Sequence, residues 1–195
     1  MKELLRGSLI HLTAVDPEEV SKHFADWNRD SEYKRLLDTD PPRLRSPKAI
    51  KTWMDKAMEE DSNKTFWFTI RAAEDNRLLG DIELSVIEWN ARDAFVGIGI
   101  GPRAFWGKGY GTEAMQLILQ YAFIELNLRR VTLTVFEYNT RAVRSYEKAG
   151  FRYEGRQRAR ILREGKRWDI LFMGILHEDW IKEHEHTHPN NLPAS

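Results

Sequence analysis

The chain has 195 residues, 42% of them hydrophobic and 31% charged, which is typical of one globular domain and argues against wholesale disorder. The 30 basic and 30 acidic residues cancel, so nothing indicates nucleic acid or an anionic membrane as a partner. The absence of cysteine excludes disulfides, Cys-ligated metals and an acyl-cysteine intermediate. Because no stretch approaches about 18 uninterrupted apolar residues and the charged start does not resemble a signal peptide, we expect a cytoplasmic protein.

Three strands and two helices are predicted in the first half of the chain. Asp16 and Ser46 each precede a proline, and an N-cap residue followed by proline is typical of a helix start. A polar segment with Pro41 and Pro42 lies between the two helices and carries no predicted element. The predicted elements are a strand at 9–15, helices at 17–27 and from 47 onward, and a hairpin of strands at 66–72 and 78–88.

The second half of the chain predicts strand, loop, helix, strand, helix and two closing strands. Residues 94–100 form the fourth strand, residues 107–111 a glycine-rich loop, and a long helix with one apolar face follows. Residues 131–136 are dense in β-branched side chains and are predicted to be a strand buried on both faces. The remaining elements are a helix at 139–149 ended by Gly150, strands at 151–155 and 169–175, and a basic, solvated hairpin at 156–166.

This order predicts an α+β fold of the mixed α/β kind, because antiparallel hairpins come first and strands then alternate with helices. We expect a central, mostly antiparallel sheet with helices on both faces. Residues 1–182 are predicted to form a single domain, and residues 183–195 a polar, flexible tail. His184, His186 and His188 alternate in that tail, but no carboxylate or cysteine motif supports them, so we predict no metal site.

The loop Gly107-Lys108-Gly109-Tyr110-Gly111 is the first motif with a chemical meaning. Its alternating glycines permit a tight turn and leave backbone N–H groups unblocked, and it leads into a helix N-terminus, where an anion is favoured. Such a loop suits a phosphate or pyrophosphate. The triphosphate-binding P-loop needs Ser or Thr after its lysine, and the dinucleotide fingerprint needs a different glycine spacing, so both fit poorly. A tight turn without a ligand is the alternative.

A second motif, NTRAVRSYEKAGF at residues 139–151, follows this loop. Together the two motifs resemble the GCN5-related N-acetyltransferase (GNAT) superfamily, most closely the branch of ribosomal-protein N-terminal acetyltransferases and spermidine N-acetyltransferases. Gly109 and Gly111 match the family's loop pattern, and Trp106 stands where the family usually has Gln or Arg. The resemblance covers about residues 9–180. The second pattern matches at Asn139, Ala142, Tyr146, Lys148, Gly150 and Phe151.

The resemblance implies a GNAT-like fold, with strands four and five splayed apart and acetyl-CoA (coenzyme A) as co-substrate. It places the pyrophosphate on the glycine-rich loop and pantetheine along the fourth strand, where Gly97 and Gly99 mark a bulge or a close backbone approach. One N–H of that strand would lie near the thioester oxygen. The residues expected to bind the cofactor are Ile98, Gly99, Ile100, Trp106, Gly107, Lys108, Gly109, Tyr110, Gly111, Thr112 and Asn139.

Tyr146 is the predicted general acid. It follows Asn139 by seven residues, so both lie on nearly the same helix face, about 10 Å apart along the axis. A tyrosine pKa of about 10 is close enough to a thiol's roughly 8.5 for the hydroxyl to protonate the departing CoA thiolate. A half-buried tyrosine with an ordinary hydrogen bond is the alternative, and Asn139 suits an N-cap equally well. By resemblance to polyamine enzymes, Glu83 is the predicted general base, with Glu88 and Asp93 as runners-up and a water chain as another route.

These observations predict an N-acetyltransferase in which a primary amine attacks the thioester of acetyl-CoA directly. The rival hypothesis is a non-catalytic acyl-CoA-binding module and, among enzymes, a polyamine acetyltransferase. The expected acceptor walls carry charges of both signs, and their basic residues would repel a polycation. The favoured acceptor is therefore a peptide, through its N-terminus, or a small-molecule amine. A homodimer is left open. The charged wall residues are Asp26, Asp30, Glu32, Glu83, Glu88 and Asp93, with Arg29, Lys34, Arg35, Arg43 and Arg45.

Overall fold

The computed structural model describes residues 4–60 and 63–187, and in this part of the chain seven strands form one sheet. Their order across the sheet is β1-β2-β3-β4-β5-β7-β6, and every neighbouring pair is antiparallel except β4 and β5. The predicted mixed, mostly antiparallel sheet is confirmed. The strands are β1 (Ile10–Ala14), β2 (Thr65–Ala72), β3 (Leu78–Glu88), β4 (Asp93–Ile100), β5 (Arg130–Phe136), β6 (Arg152–Arg163) and β7 (Lys166–Leu176).

Six α-helices accompany the sheet in the described residues, and none of them is long and apolar enough to cross a membrane. A short 3₁₀ turn at Arg103–Phe105 precedes the glycine-rich loop, and a π-helical stretch at Tyr121–Glu125 continues the long helix α4. The helices are α1 (Pro17–Trp27), α2 (Ser31–Leu37), α3 (Pro47–Glu59), α4 (Tyr110–Gln120), α5 (Thr140–Lys148) and α6 (His177–Thr187).

The two predicted helix starts in the first half are confirmed by their caps. The Asp16 carboxylate accepts a hydrogen bond from the backbone N–H of Glu18 at 2.9 Å, and the Ser46 hydroxyl accepts one from Ala49 at 3.2 Å. In both helices a proline follows the cap, where its missing N–H costs no hydrogen bond. These signals are local, so the sequence alone was sufficient to find them.

Hydrophobic side chains are buried on both faces of the sheet. The larger cluster packs α4 against the central strands, and fully buried Ile82, Met115 and Ile118 belong to it. The smaller cluster lies under α1 and α3 and includes Val20 and Met54. The sheet is therefore held by helices from both sides, as predicted, and the helices of the second face also build part of a cavity.

The sheet opens in its middle, between β4 and β5. These strands pair only at Asp93↔Arg130, Ala94↔Val131 and Phe95↔Thr132, and then diverge. Residues 96–100 of β4 keep β3 as a neighbour on one side and have no strand on the other. The splay implied by the family resemblance is thus present.

One prediction about β5 is wrong. The strand was expected to be buried on both faces, but Val131, Leu133 and Val135 are buried whereas Thr134 is exposed and Thr132 is half-buried. The reason is the opening beside β4, because a strand that borders a cavity is covered on only one face. A run of β-branched residues in the sequence does not reveal that the neighbouring strand diverges.

The hairpin of β6 and β7 is longer than predicted, and its basic stretch is largely exposed, as expected for a solvated hairpin. Helix α6 follows, and it continues across residue 183, the predicted start of the tail, to Thr187. Residues 188–195, with His188, and the side chains of His184 and His186 lie outside the described part of the chain.

Candidate active site

The glycine-rich loop forms the entrance to α4 with a backbone that glycine adopts at little cost. Gly107 has a φ of 71° and Gly109 a φ of 94°, and Gly109 is the N-cap residue of α4. The first N–H groups of α4 lack intrahelical partners, so they and the helix dipole favour an anion at this point. The loop is anchored to the end of β4, because Trp106 Nε1–H donates to the carbonyl oxygen of Ile100 at 2.6 Å.

A glutamate in the first turn of α4 ties the loop to the start of β1. The Glu113 carboxylate accepts hydrogen bonds from the backbone N–H groups of Ser8, Leu9 and Ile10 at 2.7–2.9 Å. Burial alone would raise the pKa of Glu113, but these hydrogen bonds outweigh it and lower the pKa. The Leu9 side chain lies beside Gly109, so that a Cβ atom at Gly109 would be 3.4 Å from Leu9 Cδ1. These contacts hold the glycine-rich loop and the start of α4 in place against the residues before β1.

A cleft of about 350 Å³ lies between the loop, α5 and the unpaired end of β4; we call it the cofactor cleft. Thr112 Oγ1 and Ser145 Oγ, which share a hydrogen bond of 2.8 Å, hold its two helical walls together. Two predicted cofactor residues are outside the lining: Lys108 is exposed to solvent, and the ring of Tyr110 packs edge-on against Phe105 at 5.2 Å. The predicted residues that do line the cleft are Ile98, Gly99, Ile100, Trp106, Gly107, Gly109, Gly111, Thr112 and Asn139.

Three cations on α5 line the same cleft and were not among the predicted cofactor-binding residues. They are Arg141, Arg144 and Lys148, and the Arg141 guanidinium lies 3.8 Å from the centre of the Trp106 ring. Burial lowers the pKa of Arg141, although the charge of Glu32 opposes the shift. The signal was present, since spacings of three and four residues place all three on one helical face. This face supplies positive charge to the cleft.

Asn139 and Tyr146 both line the cofactor cleft. The Asn139 Oδ1 atom accepts a hydrogen bond from the N–H of Ala142 at 3.3 Å, so this residue is the N-cap of α5. Tyr146 is half-buried, and burial raises the pKa of its hydroxyl to about 12, partly offset by Arg141. The hydroxyl is therefore neutral, and able to donate a proton, across the physiological pH range.

A second cavity of about 620 Å³ lies between α1, α2, α3 and the open part of the sheet; we call it the acceptor cavity. It shares part of its wall with the cofactor cleft, where Ile98, Gly99, Asn139 and Tyr146 line both. A molecule in one cavity can thus contact a molecule in the other beside the unpaired residues 96–100.

Two carboxylates of β3 line the acceptor cavity. Glu83, the predicted base, is half-buried and accepts a hydrogen bond from Ser85 Oγ at 2.5 Å. Asp81, which the sequence analysis did not single out, accepts a hydrogen bond from Trp67 Nε1–H at 2.9 Å and is paired with Gly99 of β4. Burial, followed by the charge of Glu83, raises the pKa of Asp81 to about 6 in spite of that hydrogen bond. Asp81 precedes Glu83 by two residues on the same strand, so both side chains point to the same face of the sheet, and this spacing could have identified Asp81.

Helix α2, also missed from the sequence, closes the junction of the two cavities. Tyr33 is its one buried residue, and its hydroxyl would lie 3.1 Å from a Cβ atom placed on Gly99. Asp30 caps the helix and binds Arg103 through two hydrogen bonds of 2.5 and 2.7 Å. These bonds, which outweigh the effect of burial, lower the pKa of Asp30 to about 2. The helix is thereby fastened to the turn that precedes the glycine-rich loop.

Most of the other charged residues expected around the acceptor lie elsewhere. Glu88 and Asp93, the two alternative bases, pair with each other across β3 and β4, at the end where β4 is still paired with β5. Neither residue lines either cavity. Asp26, Asp30, Glu32, Arg29 and Arg35 also line neither cavity. The predicted wall residues that do line the acceptor cavity are Lys34, Arg43, Arg45 and Glu83.

Comparisons with known proteins agree with this geometry. The chain is 29% identical to a probable N-acetyltransferase of Bacillus subtilis, YjcK, over 181 residues that cover 90% of this chain and 98% of that protein. Among solved structures, the spermidine N-acetyltransferase from Vibrio cholerae in complex with CoA and spermine matches with a TM-score of 0.77. That match has 25% sequence identity and covers 90% of this chain and 99% of the other.

The family model described as the acetyltransferase (GNAT) domain matches residues 10–152. This range contains β1 to β5, the splay between β4 and β5, the glycine-rich loop and the whole of α5. The match spans well over half of the sequence and both of its motifs. The chain therefore belongs to the GNAT acetyltransferase family and is an acetyl-CoA-dependent N-acetyltransferase.

Proposed function

We propose that the chain acetylates a small primary amine by direct attack of the amine on acetyl-CoA. The observation that carries this proposal is the meeting of the two cavities at Tyr146, beside the unpaired residues 96–100 of β4. The shape suits two substrates that react with each other, and it needs no covalent enzyme intermediate. The spermine in the Vibrio cholerae complex is a small amine, which supports this acceptor class over a protein chain.

The cofactor cleft fits acetyl-CoA through groups of three kinds. The free N–H groups at the start of α4, with Gly107 and Gly109 leaving them unobstructed, suit the pyrophosphate. The cations of α5 suit the phosphate charges. The free edge of β4 offers backbone donors and acceptors to the amide groups of pantetheine, much as a neighbouring strand would.

In the proposed reaction the amine nitrogen forms a bond to the thioester carbon, and the bond from that carbon to sulfur then breaks. A backbone N–H of residues 98–100 stabilises the oxygen that becomes negative. Tyr146 gives its hydroxyl proton to the leaving sulfur; its pKa of about 12 keeps it protonated before the reaction but makes it a weaker acid than an ordinary tyrosine.

Asp81 and Glu83 act as the acceptor-side pair in this scheme. Both line the acceptor cavity next to the shared wall, and at neutral pH their charge favours a bound ammonium group. The amine's proton passes to this pair. Glu83 keeps its predicted role as a base, and Asp81 joins it because a pKa of about 6 is closer to neutral than that of an ordinary carboxylate.

The experiment is a CoA-release assay on a panel of small primary amines, with acetyl-CoA binding measured in parallel by calorimetry. We expect saturable turnover of at least one amine and a matching acetylated product by mass spectrometry. Tight acetyl-CoA binding with no turnover of any amine or peptide would instead support the acyl-CoA-binding module. Turnover confined to peptides would contradict the small-amine assignment. The cytoplasmic location and the homodimer stay predictions.

A further inference from the structure

The acceptor cavity has opposite charges at its floor and at its rim. Asp81 and Glu83 lie half-buried on β3, at the floor, beside the wall shared with the cofactor cleft. Arg43 and Arg45 lie on the segment between α2 and α3, where both side chains are exposed at the rim. The floor suits an ammonium group, and the rim suits an anion.

The rim cations are only partly neutralised within the described part of the chain. Neither Arg43 nor Arg45 forms an ion pair there, whereas Lys34 pairs with Asp38 at 3.8 Å. Asp40 is the remaining acidic residue of this rim, so Arg43, Arg45 and Asp40 together leave a net charge of one positive. A chain of ammonium groups would place a cation against this rim, which costs free energy by like-charge repulsion.

Part of the cavity wall is apolar. Phe24, Ile50, Trp53 and Phe95 line it, and the Trp53 ring packs edge-on against Trp67 at 5.9 Å. Such a wall suits a hydrocarbon segment, because burying methylene groups against aromatic rings is favourable and needs no polar partner.

We propose that the acceptor is a primary amine that carries an anionic group at the far end of a short apolar spacer, an ω-amino acid being the simplest example. This inference rests on the proposed function and specifies its substrate class. The amine lies at Asp81 and Glu83, the spacer along the aromatic wall, and the anion against Arg43 and Arg45. A polyamine fits the floor but not the rim.

The test uses three acceptors of equal length with different ends: 5-aminopentanoate, pentylamine and 1,5-diaminopentane. We expect kcat/KM to be roughly ten-fold higher for 5-aminopentanoate than for pentylamine, the size expected for two exposed charge contacts, and lowest for 1,5-diaminopentane. The advantage of 5-aminopentanoate should shrink at high ionic strength. In the double variant Arg43→Gln, Arg45→Gln the ratio should fall to about one.

Lys48→Gln is the matched control, because this exposed cation of α3 does not line the cavity. It should leave the ratio unchanged. A preference for 1,5-diaminopentane, or an unchanged ratio in the double variant, would overturn the anionic-acceptor inference while leaving the proposed function intact. No CoA release with any of the three amines would contradict the inference and, if the wider panel also failed, the proposed function.

Discussion

The two cavities that meet at Tyr146 are built from different kinds of structure. The cofactor cleft consists mainly of two continuous segments, the glycine-rich loop with the start of α4 and the helix α5. The acceptor cavity combines α1, α2, α3, the segment between α2 and α3, and parts of β3, β4 and β5. One comes mostly from residues that are close in sequence, including the backbone of the glycine-rich loop, and the other is assembled from distant segments by the fold.

This difference explains why the ligand of the first cavity is easier to infer than that of the second. A backbone cradle needs glycines at fixed spacing, and such spacing is visible in a sequence. A pocket of side chains depends on which faces of distant elements meet, and on the burial that alters their charge. The following changes probe the contrast, beginning with the largest expected effect.

Gly109→Val tests whether the cofactor cleft depends on backbone conformation. A β-branched residue at a φ of 94° is strained, so the loop should move and its N–H groups should no longer converge on the pyrophosphate. Losing two charge-assisted hydrogen bonds would raise the Kd of acetyl-CoA about 10³-fold, measured by calorimetry. Gly155→Val is the control, since a Cβ atom there meets nothing within 4 Å. An unchanged Kd in a folded Gly109 variant would show that the loop does not hold the cofactor.

Tyr146→Phe tests the point at which the two cavities meet. The substitution keeps the ring and removes the hydroxyl, so we expect kcat to fall roughly 10²-fold, with little change in acetyl-CoA binding. Steady-state kinetics on one amine is sufficient. Tyr153→Phe, at an exposed tyrosine of β6, should have no effect. A near-normal kcat for Tyr146→Phe would assign the protonation of the thiolate to water or to another group.

Asp81→Asn tests the acceptor side through its pH dependence. The Asp81 carboxyl is protonated below about pH 6 and charged above it, and a base acts only in its charged form. We expect wild-type kcat/KM to fall as the pH decreases through about 6. The variant should lose this inflection and be roughly ten-fold slower at pH 7.5, less than for a sole base because Glu83 remains.

The same inflection in Asp81→Asn would assign it to another group, and Glu83→Gln would then be the variant to examine. Tyr33 and Glu83 are the titratable side chains whose charge interacts with Asp81. Burial keeps the pKa of Tyr33 well above its ordinary value, so it stays neutral throughout this range. Asp75→Asn, in an exposed turn, is the matched control and should retain the wild-type profile.

The sequence predicted most of the fold because its signals are local. The proline caps of α1 and α3, the alternation in β3 and the glycine after α5 each specify an element without help from the rest of the chain. Helix α2 was missed because it has seven residues and one buried side chain, although Asp30 before Ser31 is an ordinary N-cap signal.

The candidate site was predictable to the extent that its residues belong to motifs. Tyr146 and the glycines were found because they follow each other at characteristic spacings. The pKa of Asp81 could not be anticipated, because it depends on burial and on a neighbouring carboxylate. The exposure of Thr134 was also hidden, since nothing in a strand's own sequence states whether its neighbour in the sheet has diverged.

The free edge of β4 has a further consequence for the behaviour of the protein. An unpaired strand edge on the outside of a sheet attracts strands of other molecules and is a common origin of aggregation. Here the edge is interior, and the helices α2 and α5 stand on either side of it. The walls of the active site thereby also protect the protein from pairing with its own copies.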